Sequence, residues 1–332
     1  MNILITGGCG FIGSNFINIF FEKLTEDDRL INIDAMYYCA NEESINKEIR
    51  ESSRYHFIIG NLRNFQLLEE IIDCYQITHV IHFAAQSHVQ NSFDNAIQFT
   101  YDNILGTHVL LEVCRRYGKI QKFIHCSTDE TYGESMLDEN EKHKTEESIL
   151  CPSNPYAATK AAAELLAQSY YHSFKMPICI TRGNNTYGGK NKALQYPEKL
   201  IPRFIKLLSE DKKVTIQGSG SQVRAFLNVY DTVKAFEVIL EKGVNGEIYN
   251  IGCDDELFRM EYSVMEISEM LIRKIKGKDV DINEWIEFIE DRPFNDSRYF
   301  ISNHKLKELG WNITIKFEDG ICQLLNDMGL LK

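Results

Sequence analysis

The chain has 332 residues, of which 44% are hydrophobic and 25% are charged, a composition typical of a globular protein with a sizeable core. Its formal net charge of −12 argues against nucleic acid or an anionic membrane as the partner. The nine cysteines include no C-x-x-C pair, which favours reduced thiols over disulfides or a metal site. The chain opens directly on an apolar strand and has no run of membrane-spanning length, so we expect an intracellular, cytoplasmic protein.

Short apolar runs alternate with helically spaced segments through the first half of the chain. Strands are predicted at 2–6, 30–34, 55–60, 78–85, 122–127 and 177–182, and helices at 11–24, 64–75, about 95–116 and 154–174. This alternation predicts right-handed crossovers and a parallel sheet, as in a Rossmann-type doubly wound α/β fold. From about residue 183 the pattern becomes irregular, which predicts a smaller C-terminal substrate-binding lobe over 183–332. We expect residues 1–182 to form the nucleotide-binding domain, with about 225–242 interleaved back into it.

A glycine motif lies between the first predicted strand and helix, with Gly7, Gly10 and Gly13 in a G-x-x-G-x-x-G spacing. Such glycines let the backbone approach a pyrophosphate, which then lies at the positive N-terminus of the helix. Asp34 ends the second strand about 20 residues later, where a carboxylate binds an adenosine ribose and repels a 2′-phosphate. The combination favours NAD over NADP, although a loop or turn role is the alternative for Asp34.

A catalytic group is predicted from two further segments. Tyr156 and Lys160 are four residues apart on a predicted helix and therefore share a face, and an ammonium near a phenol favours the phenolate of a general base. Thr128, Asp129 and Glu130 follow the strand at 122–127, where α/β enzymes bind their ligands. Two desolvated neighbouring carboxylates can hold opposite protonation states. The alternative for Tyr156 and Lys160 is an ordinary helix face, and the alternative for Asp129 and Glu130 is a strand-end turn.

Together these motifs resemble those of the extended short-chain dehydrogenase/reductases. The Thr-Asp-Glu triplet is similar to that of the nucleotide-sugar (NDP-hexose) 4,6-dehydratases within that family. Further segments agree over about residues 2–327, namely HFAAQSHVQNS, NPYAATKAAAE, RGNNTYG, QYPEKLIPRFI, GSGSQVRAFLNVYD, YNIG and DRPFNDSRY. The chain looks most like the UDP-glucose dehydratases of UDP-rhamnose synthesis, followed by the dTDP-glucose dehydratases.

The resemblance implies a hydro-lyase that converts UDP-glucose or dTDP-glucose to the 4-keto-6-deoxy sugar through bound NAD, a step toward rhamnose or another 6-deoxy sugar. Tyr156, with Lys160 and Thr128, would take the proton of the C4 hydroxyl. Glu130 would remove the C5 proton, and a protonated Asp129 would donate to the departing C6 hydroxyl. The helices from about Asn95 and from Tyr156 would pair across a two-fold axis in a homodimer.

The resemblance also implies two sets of binding residues. The NAD set is Gly7, Gly10, Phe11, Ile12, Gly13, Asp34, Asn61, Leu62, Phe83, Ala84, Ala85, Tyr156, Lys160 and Asn185. The substrate set is Ser87, Thr128, Asn184, Lys199, Arg224, Asn250, Arg292 and Asn295. The chain departs from the family pattern at Gly60-Asn61, where Gly-Asp is usual, in a longer loop near 188–197, and at Asp102, where a neutral residue is usual.

Three other readings remain open at this stage. A nucleotide-sugar 4-epimerase would share the glycines, Tyr156 and Lys160, but would not need the Asp129-Glu130 pair. A decarboxylase of UDP-glucuronate would need a cationic contact for the substrate carboxylate and no acid at Asp129. A non-catalytic NAD-binding regulator would need none of the catalytic side chains.

Overall fold

The structure is a computed structural model that describes residues 1–138, 140–190, 192–255, 257–290 and 296–332. Its strands are β1 (Asn2–Thr6), β2 (Arg29–Asp34), β3 (Tyr55–Ile59), β4 (His79–His82), β5 (Lys122–Thr128), β6 (Ile178–Gly183), β7 (Asn185–Tyr187), β8 (Val214–Gln217), β9 (Val223–Asn228), β10 (Ile248–Ile251), β11 (Glu261–Ser263) and β12 (Ile286–Ile289). Its helices are α1 (Phe11–Phe20), α2 (Lys47–Arg50), α3 (Phe65–Cys74), α4 (Val89–Asp94), α5 (Ala96–Phe99), α6 (Gly106–Tyr117), α7 (Pro155–Phe174), α8 (Leu200–Ser209), α9 (Val229–Lys242), α10 (Val264–Lys276), α11 (His304–Glu308) and α12 (Phe317–Asp327).

Seven strands form a parallel central sheet in the order β10-β6-β5-β4-β1-β2-β3. The strand order reverses direction between β1 and β4, and ligands in open α/β sheets bind beyond the carboxyl ends of the strands at such a switch point. This topology confirms the predicted Rossmann-type doubly wound fold. The last strand, β10, comes from the second half of the chain and pairs with β6.

Successive side chains of β1 point into two different cores. Ile3 and Ile5 belong to the core that contains side chains of α1 and α9, whereas Leu4 belongs to the core that contains side chains of α3, α6 and α7. Because side chains alternate across a strand, the sheet is covered by helices on both faces. This burial on both faces explains why the strands are almost continuously apolar in sequence.

The second half of the chain is more regular than its sequence pattern suggests. Two small sheets, β11-β9-β7 and β12-β8, stand beside helices α8, α10 and α12. The strands in these sheets have three to six residues, too few for a clear alternation of polar and apolar positions. Helix α10 begins with a capping box between Ser263 and Glu266, a local signal that marks a helix start.

The helical segment predicted from about 95 to 116 is interrupted by a π-helical stretch at Thr100–Leu105, between α5 and α6. Such stretches are rare and are frequent at functional sites. None of the helices in the described ranges is both long enough and apolar enough to cross a bilayer.

Candidate active site

One cleft runs along the carboxyl ends of the central strands and encloses about 1740 Å³, part of it open to solvent. The predicted site residues that line it are Gly7, Gly10, Phe11, Ile12, Gly13, Asp34, Asn61, Leu62, Phe83, Ala84, Ala85, Ser87, Thr128, Asp129, Glu130, Tyr156, Lys160, Asn184, Asn185 and Lys199. Residues from both predicted binding sets and the whole predicted catalytic group therefore face one space.

The glycine motif forms the floor of the cleft. Gly7 has a φ of +72°, and a Cβ there would lie 2.6 Å from the Cα of Ala84; a Cβ at Gly13 would lie 2.4 Å from the carbonyl oxygen of Gly7. Neither position admits a side chain without moving backbone. Helix α1 begins at Phe11 with no side chain capping its amide groups. Its first N–H groups therefore face the cleft as donors for an anion such as a pyrophosphate.

Asp34 lies at the end of β2 and lines the same cleft. Its carboxylate accepts one hydrogen bond from the Cys9 amide at 3.0 Å and one from the Met36 amide at 2.9 Å. Burial raises the pKa of Asp34, and the two amide hydrogen bonds oppose that shift. Each carboxylate oxygen accepts more than one hydrogen bond, so Asp34 retains capacity for ribose hydroxyls. The donors of α1 and the acceptors of Asp34 fit a dinucleotide.

Tyr156 and Lys160 lie in the first turns of α7, which Asn154 caps by accepting a hydrogen bond from the Ala157 amide at 2.9 Å. The Lys160 ammonium donates to the carbonyl of Cys126 at 2.6 Å, and burial lowers its pKa. Burial raises the pKa of Tyr156 well above 10, the charge of Glu130 raises it further, and a side-chain hydrogen bond with Thr128 lowers it. Burial therefore raises the pKa of Tyr156, whereas the sequence analysis expected the lysine to lower it.

Asp129 is buried at the end of β5. Its carboxyl group accepts hydrogen bonds from the Thr128 hydroxyl at 3.0 Å and from the Asn184 amide at 2.5 Å. Burial and the neighbouring charge of Glu130 raise the pKa of Asp129 to about 7, against the effect of those hydrogen bonds. At neutral pH this carboxyl group is therefore available in its protonated form as an acid.

Glu130 has a different partner, the side-chain amide of Asn154, which donates to it at 3.0 Å. Burial raises the pKa of Glu130, whereas the Asn154 hydrogen bond and the charges of Lys199 and Arg224 lower it. Asn154 therefore joins Glu130 to the first turn of α7. The sequence analysis did not single out Asn154, although an asparagine before Pro155 is a recognisable helix cap.

The predicted substrate residues are divided between the cleft and its surroundings. Lys199 donates to the carbonyl of Ser87 at 3.0 Å inside the cleft. Arg224 and Asn250 are not among the described residues that line it. Arg224 donates to the carbonyls of Val223 and Ser297, yet its charge lowers the pKa values of both catalytic carboxyl groups.

Asn250 is 0% exposed and is bonded within the protein. It accepts from the Tyr132 hydroxyl at 2.8 Å and donates to the Lys144 carbonyl at 3.3 Å. The predicted Arg292 and Asn295 lie outside the described residues. The lining residues to which the sequence analysis gave no role include Tyr37, Gln86 and Asp102.

Comparison with known proteins gives relatives over nearly the whole chain. The chain is 43% identical to the dTDP-D-glucose 4,6-dehydratase of Dictyostelium discoideum, over 96% of this chain and 79% of that protein. It is 42% identical to a trifunctional UDP-glucose 4,6-dehydratase/UDP-4-keto-6-deoxy-D-glucose 3,5-epimerase/UDP-4-keto-L-rhamnose-reductase of Arabidopsis thaliana, over 98% of this chain. The chain spans only 46% of the length of that plant protein.

A solved structure has the same fold. The dTDP-glucose 4,6-dehydratase of Streptomyces venezuelae, crystallised with NAD bound, superposes with a TM-score of 0.89 at 31% identity, covering 99% of this chain and 97% of that one. The sequence model described as GDP-mannose 4,6 dehydratase matches residues 4–324. A match of that extent, to a chain with this glycine motif, this Tyr-Lys helix and this carboxylate pair, shows that the protein belongs to the GDP-mannose 4,6 dehydratase family.

Proposed function

We propose that the protein is an NAD-dependent NDP-glucose 4,6-dehydratase, a hydro-lyase that converts UDP-glucose or dTDP-glucose to the NDP-4-keto-6-deoxyglucose and water. The observation that carries this proposal is the adjacent pair of buried Asp129 and half-buried Glu130, which lines one cleft together with Tyr156 and Lys160. Both nucleotides are in the proposal because relatives that bear each name are 42–43% identical to this chain.

The residues act in sequence on the sugar. Tyr156 accepts the proton of the C4 hydroxyl, with Thr128 as its hydrogen-bond partner and Lys160 as the nearby cation on the same helical face. Glu130 removes the proton from C5 once C4 is a ketone, because the ketone acidifies that position. Asp129, which is protonated near neutral pH, donates to the C6 hydroxyl as water leaves. The α1 amides and Asp34 would hold NAD, which would supply the hydride acceptor for C4 and the hydride donor for C6, and Glu130 returns its proton to C5 to complete the product.

The remaining expectations follow from this assignment. Residues 183–332 would mainly hold the sugar nucleotide, with Asn184 and Lys199 facing it in the cleft, while residues 1–182 hold the cofactor. Rhamnose or another 6-deoxy sugar is the proposed end product of the route. A cytoplasmic location is proposed because the nine cysteines are free thiols.

A 4-epimerase is the second candidate because it needs the same cofactor site, Tyr156 and Lys160. It does not eliminate water and has no use for an acid at C6 and a base at C5. Burying two adjacent carboxyl groups is unfavourable unless a function uses them. The separate hydrogen-bond partners of Asp129 and Glu130 favour the dehydratase.

We also propose that two copies of the chain associate through α4–α7. Exposed apolar side chains recur every fourth residue at Phe93, Ile97, Tyr101 and Leu105, and Leu165 is exposed on α7, which packs against α6. Exposed apolar patches of this kind are typical of interfaces. A second copy placed with two-fold symmetry would cover the same patch on both subunits.

The test is incubation of the purified protein with UDP-glucose and with dTDP-glucose, with and without added NAD, followed by mass spectrometry. We expect loss of one water, about 18 mass units, from the sugar nucleotide by acid–base elimination, without accumulation of NADH. The faster substrate identifies the preferred base. An epimerised sugar of unchanged mass would support the 4-epimerase, and no reaction with either substrate would reject the dehydratase assignment for both.

A further inference from the structure

We propose that Asp102 accepts a hydrogen bond from the exocyclic amino group of the adenine of bound NAD, and so selects adenine over bases that lack this donor. The inference rests on the proposed NAD site and goes beyond it, because it assigns a base-recognition role to a charged residue that the catalytic scheme does not use.

The adenine end of the cleft follows from the sheet. Asp34 and Ile59 are register partners at the ends of β2 and β3, and the Gly60 amide donates to the Asp34 carbonyl at 2.9 Å. A ribose held by Asp34 therefore places its base beside the residues that follow β3. The side of the cleft at that position is lined by Tyr37, Asn61 and Asp102.

The π-helical stretch brings two consecutive side chains to this end of the cleft. Asn103 is buried and is bonded to the main chain of Gln86, accepting from its amide at 2.7 Å and donating to its carbonyl at 3.1 Å. Asp102, the preceding residue, has a side chain that is only 9% exposed and lines the cleft. A π-helical turn is wider than an α-helical turn, so the two side chains diverge less than in a regular helix.

The two oxygens of Asp102 have unequal partners. Oδ2 accepts from the side-chain amides of Gln86 at 3.0 Å and of Gln98 at 2.8 Å. Oδ1 accepts a long hydrogen bond from the Tyr37 hydroxyl at 3.5 Å and forms an ion pair with the Nε of Arg63 at 3.7 Å. Both separations exceed the 2.5–3.2 Å range of good hydrogen bonds. Oδ1 is therefore the oxygen with capacity for a strong donor.

Asn61, the neighbouring polar side chain, does not offer an equivalent acceptor. Its oxygen accepts from the Arg63 main-chain amide at 2.9 Å and from the Arg63 Nε at 3.1 Å, which occupies both lone pairs. Its amide group donates to the Tyr37 hydroxyl at 2.8 Å. A base at this position meets an oxygen on Asn61 whose lone pairs are both used and an oxygen on Asp102 that has only the two long contacts with Tyr37 and Arg63. An adenine amino group is a donor and satisfies that oxygen, whereas a 6-oxo group repels it.

The proposal is tested by equilibrium binding. Isothermal titration calorimetry on protein freed of its cofactor measures Kd for NAD and for nicotinamide hypoxanthine dinucleotide, which carries a 6-oxo group in place of the amino group. The two ligands are titrated into the unmodified protein, into Asp102→Asn and into Asp94→Asn, a control that removes an exposed charge on α4. Circular dichroism verifies that each variant is folded.

We expect the unmodified protein and the Asp94 variant to bind NAD about 10–100-fold more tightly than the hypoxanthine analogue, the range expected of one charge-assisted hydrogen bond. In Asp102→Asn, the side-chain amide oxygen takes the place of Oδ2 and still accepts from Gln86 and Gln98. The new NH₂ group takes the place of Oδ1 and faces the base, so the preference for NAD over the hypoxanthine analogue should fall at least tenfold. An unchanged preference in this variant overturns the role of Asp102.

Two other outcomes are equally decisive. Equal affinity of the unmodified protein for the two dinucleotides also overturns the role of Asp102, whether or not the variant folds. A protein that binds neither dinucleotide contradicts the proposed NAD site itself and, with it, this inference. Because the readout is a ratio of two Kd values, a general loss of cofactor affinity does not imitate the expected result.

Discussion

At the scale of single residues, Asp129 and Glu130 are adjacent in sequence but have separate hydrogen-bond partners. Asp129 is bonded to Thr128 and Asn184, whereas Glu130 is bonded to Asn154 at the start of α7. Burial raises both pKa values, and for Asp129 the charge of Glu130 adds to that effect. One proton shared between two such groups is the state that an acid and a base acting on the same sugar require.

The first prediction concerns the pH dependence of catalysis. Because Asp129 acts as an acid and has a pKa of about 7, kcat/KM for the sugar nucleotide should decline tenfold per pH unit well above pH 7. Asp129→Asn should lower kcat about 10²–10⁴-fold and abolish that decline in the residual activity. Steady-state assays from pH 5.5 to 9 measure this, with Asp73→Asn as an exposed control. A decline that persists in Asp129→Asn would assign it to another group.

The second prediction concerns stability. The folded-state pKa of Asp129 is raised above its value in the unfolded chain, so the proton it binds stabilises the fold at low pH, and this stabilisation is lost as pH rises through about 7. Asp129→Asn is neutral throughout and should be more stable than the unmodified protein at pH 8 by about 2–4 kcal/mol. At pH 5 the difference should be smaller, about 1–2 kcal/mol, because the carboxyl group of the unfolded chain is still largely ionised there whereas that of the folded chain is protonated. Urea unfolding at the two pH values measures it, and equal differences at both would contradict the raised pKa.

At the scale of elements, one face of α7 presents both the predicted catalytic side chains and a side chain that stabilises the fold. Tyr156, Lys160 and Glu164 follow one another at four-residue spacing and are buried. Glu164 accepts from the Nε of Arg182 on β6 at 3.1 Å, and the Arg182 guanidinium lies 4.5 Å from the ring centre of Tyr132. This ion pair ties α7 to the strand next to β5, and it thereby fixes the lysine and tyrosine against the catalytic carboxylates.

The third prediction concerns this pair. Glu164→Leu leaves the Arg182 charge buried without its partner and should reduce the free energy of unfolding by about 3–5 kcal/mol, as should Arg182→Met. The double variant should lose much less than the sum, because neither charge then remains buried alone. Urea unfolding followed by circular dichroism gives the coupling energy. Additive losses would mean that the two side chains do not stabilise the fold as a pair.

At the scale of the whole molecule, the first and second halves of the chain meet along the carboxyl ends of the central sheet. Strand β10 returns to that sheet from the second half of the chain, and α9 packs against α1. The cleft therefore has walls from distant parts of the sequence, including Lys199 of the second half and Ser87 of the first. The apolar side chains of Phe93, Ile97, Tyr101 and Leu105, on α4, α5 and the π-helical stretch, remain exposed in the single chain.

The fourth prediction concerns assembly. Ile97, which is 68% exposed on α5, should be covered in a homodimer, so Ile97→Asp should halve the mass measured by light scattering after size-exclusion chromatography. Phe288→Asp is the matched control, since Phe288 is 60% exposed on β12, away from the proposed interface. A monomeric unmodified protein, or a dimer that tolerates Ile97→Asp, would contradict this interface.

The sequence predicted the main sheet and many of the residues that line the cleft because their signals are local. Glycine spacing, strand-end carboxylates and a Tyr-x-x-x-Lys helix depend on residues within a few turns of one another, and their places in the fold follow from alternation. It did not predict Asn154 as the partner of Glu130, nor the internal bonding of Asn250. Those contacts join residues 24 and 118 positions apart.

The sequence by itself determined the fold class and the kinds of chemical group at each strand end, because periodicity and spacing are properties of neighbouring residues. Only the tertiary structure decided the raised pKa of Asp129, the raising of the Tyr156 pKa by burial, and the long contacts that leave Asp102 Oδ1 weakly bonded. Each of these depends on burial and on partners from other elements. Solvent exclusion and hydrogen-bond geometry exist only after distant segments have come together.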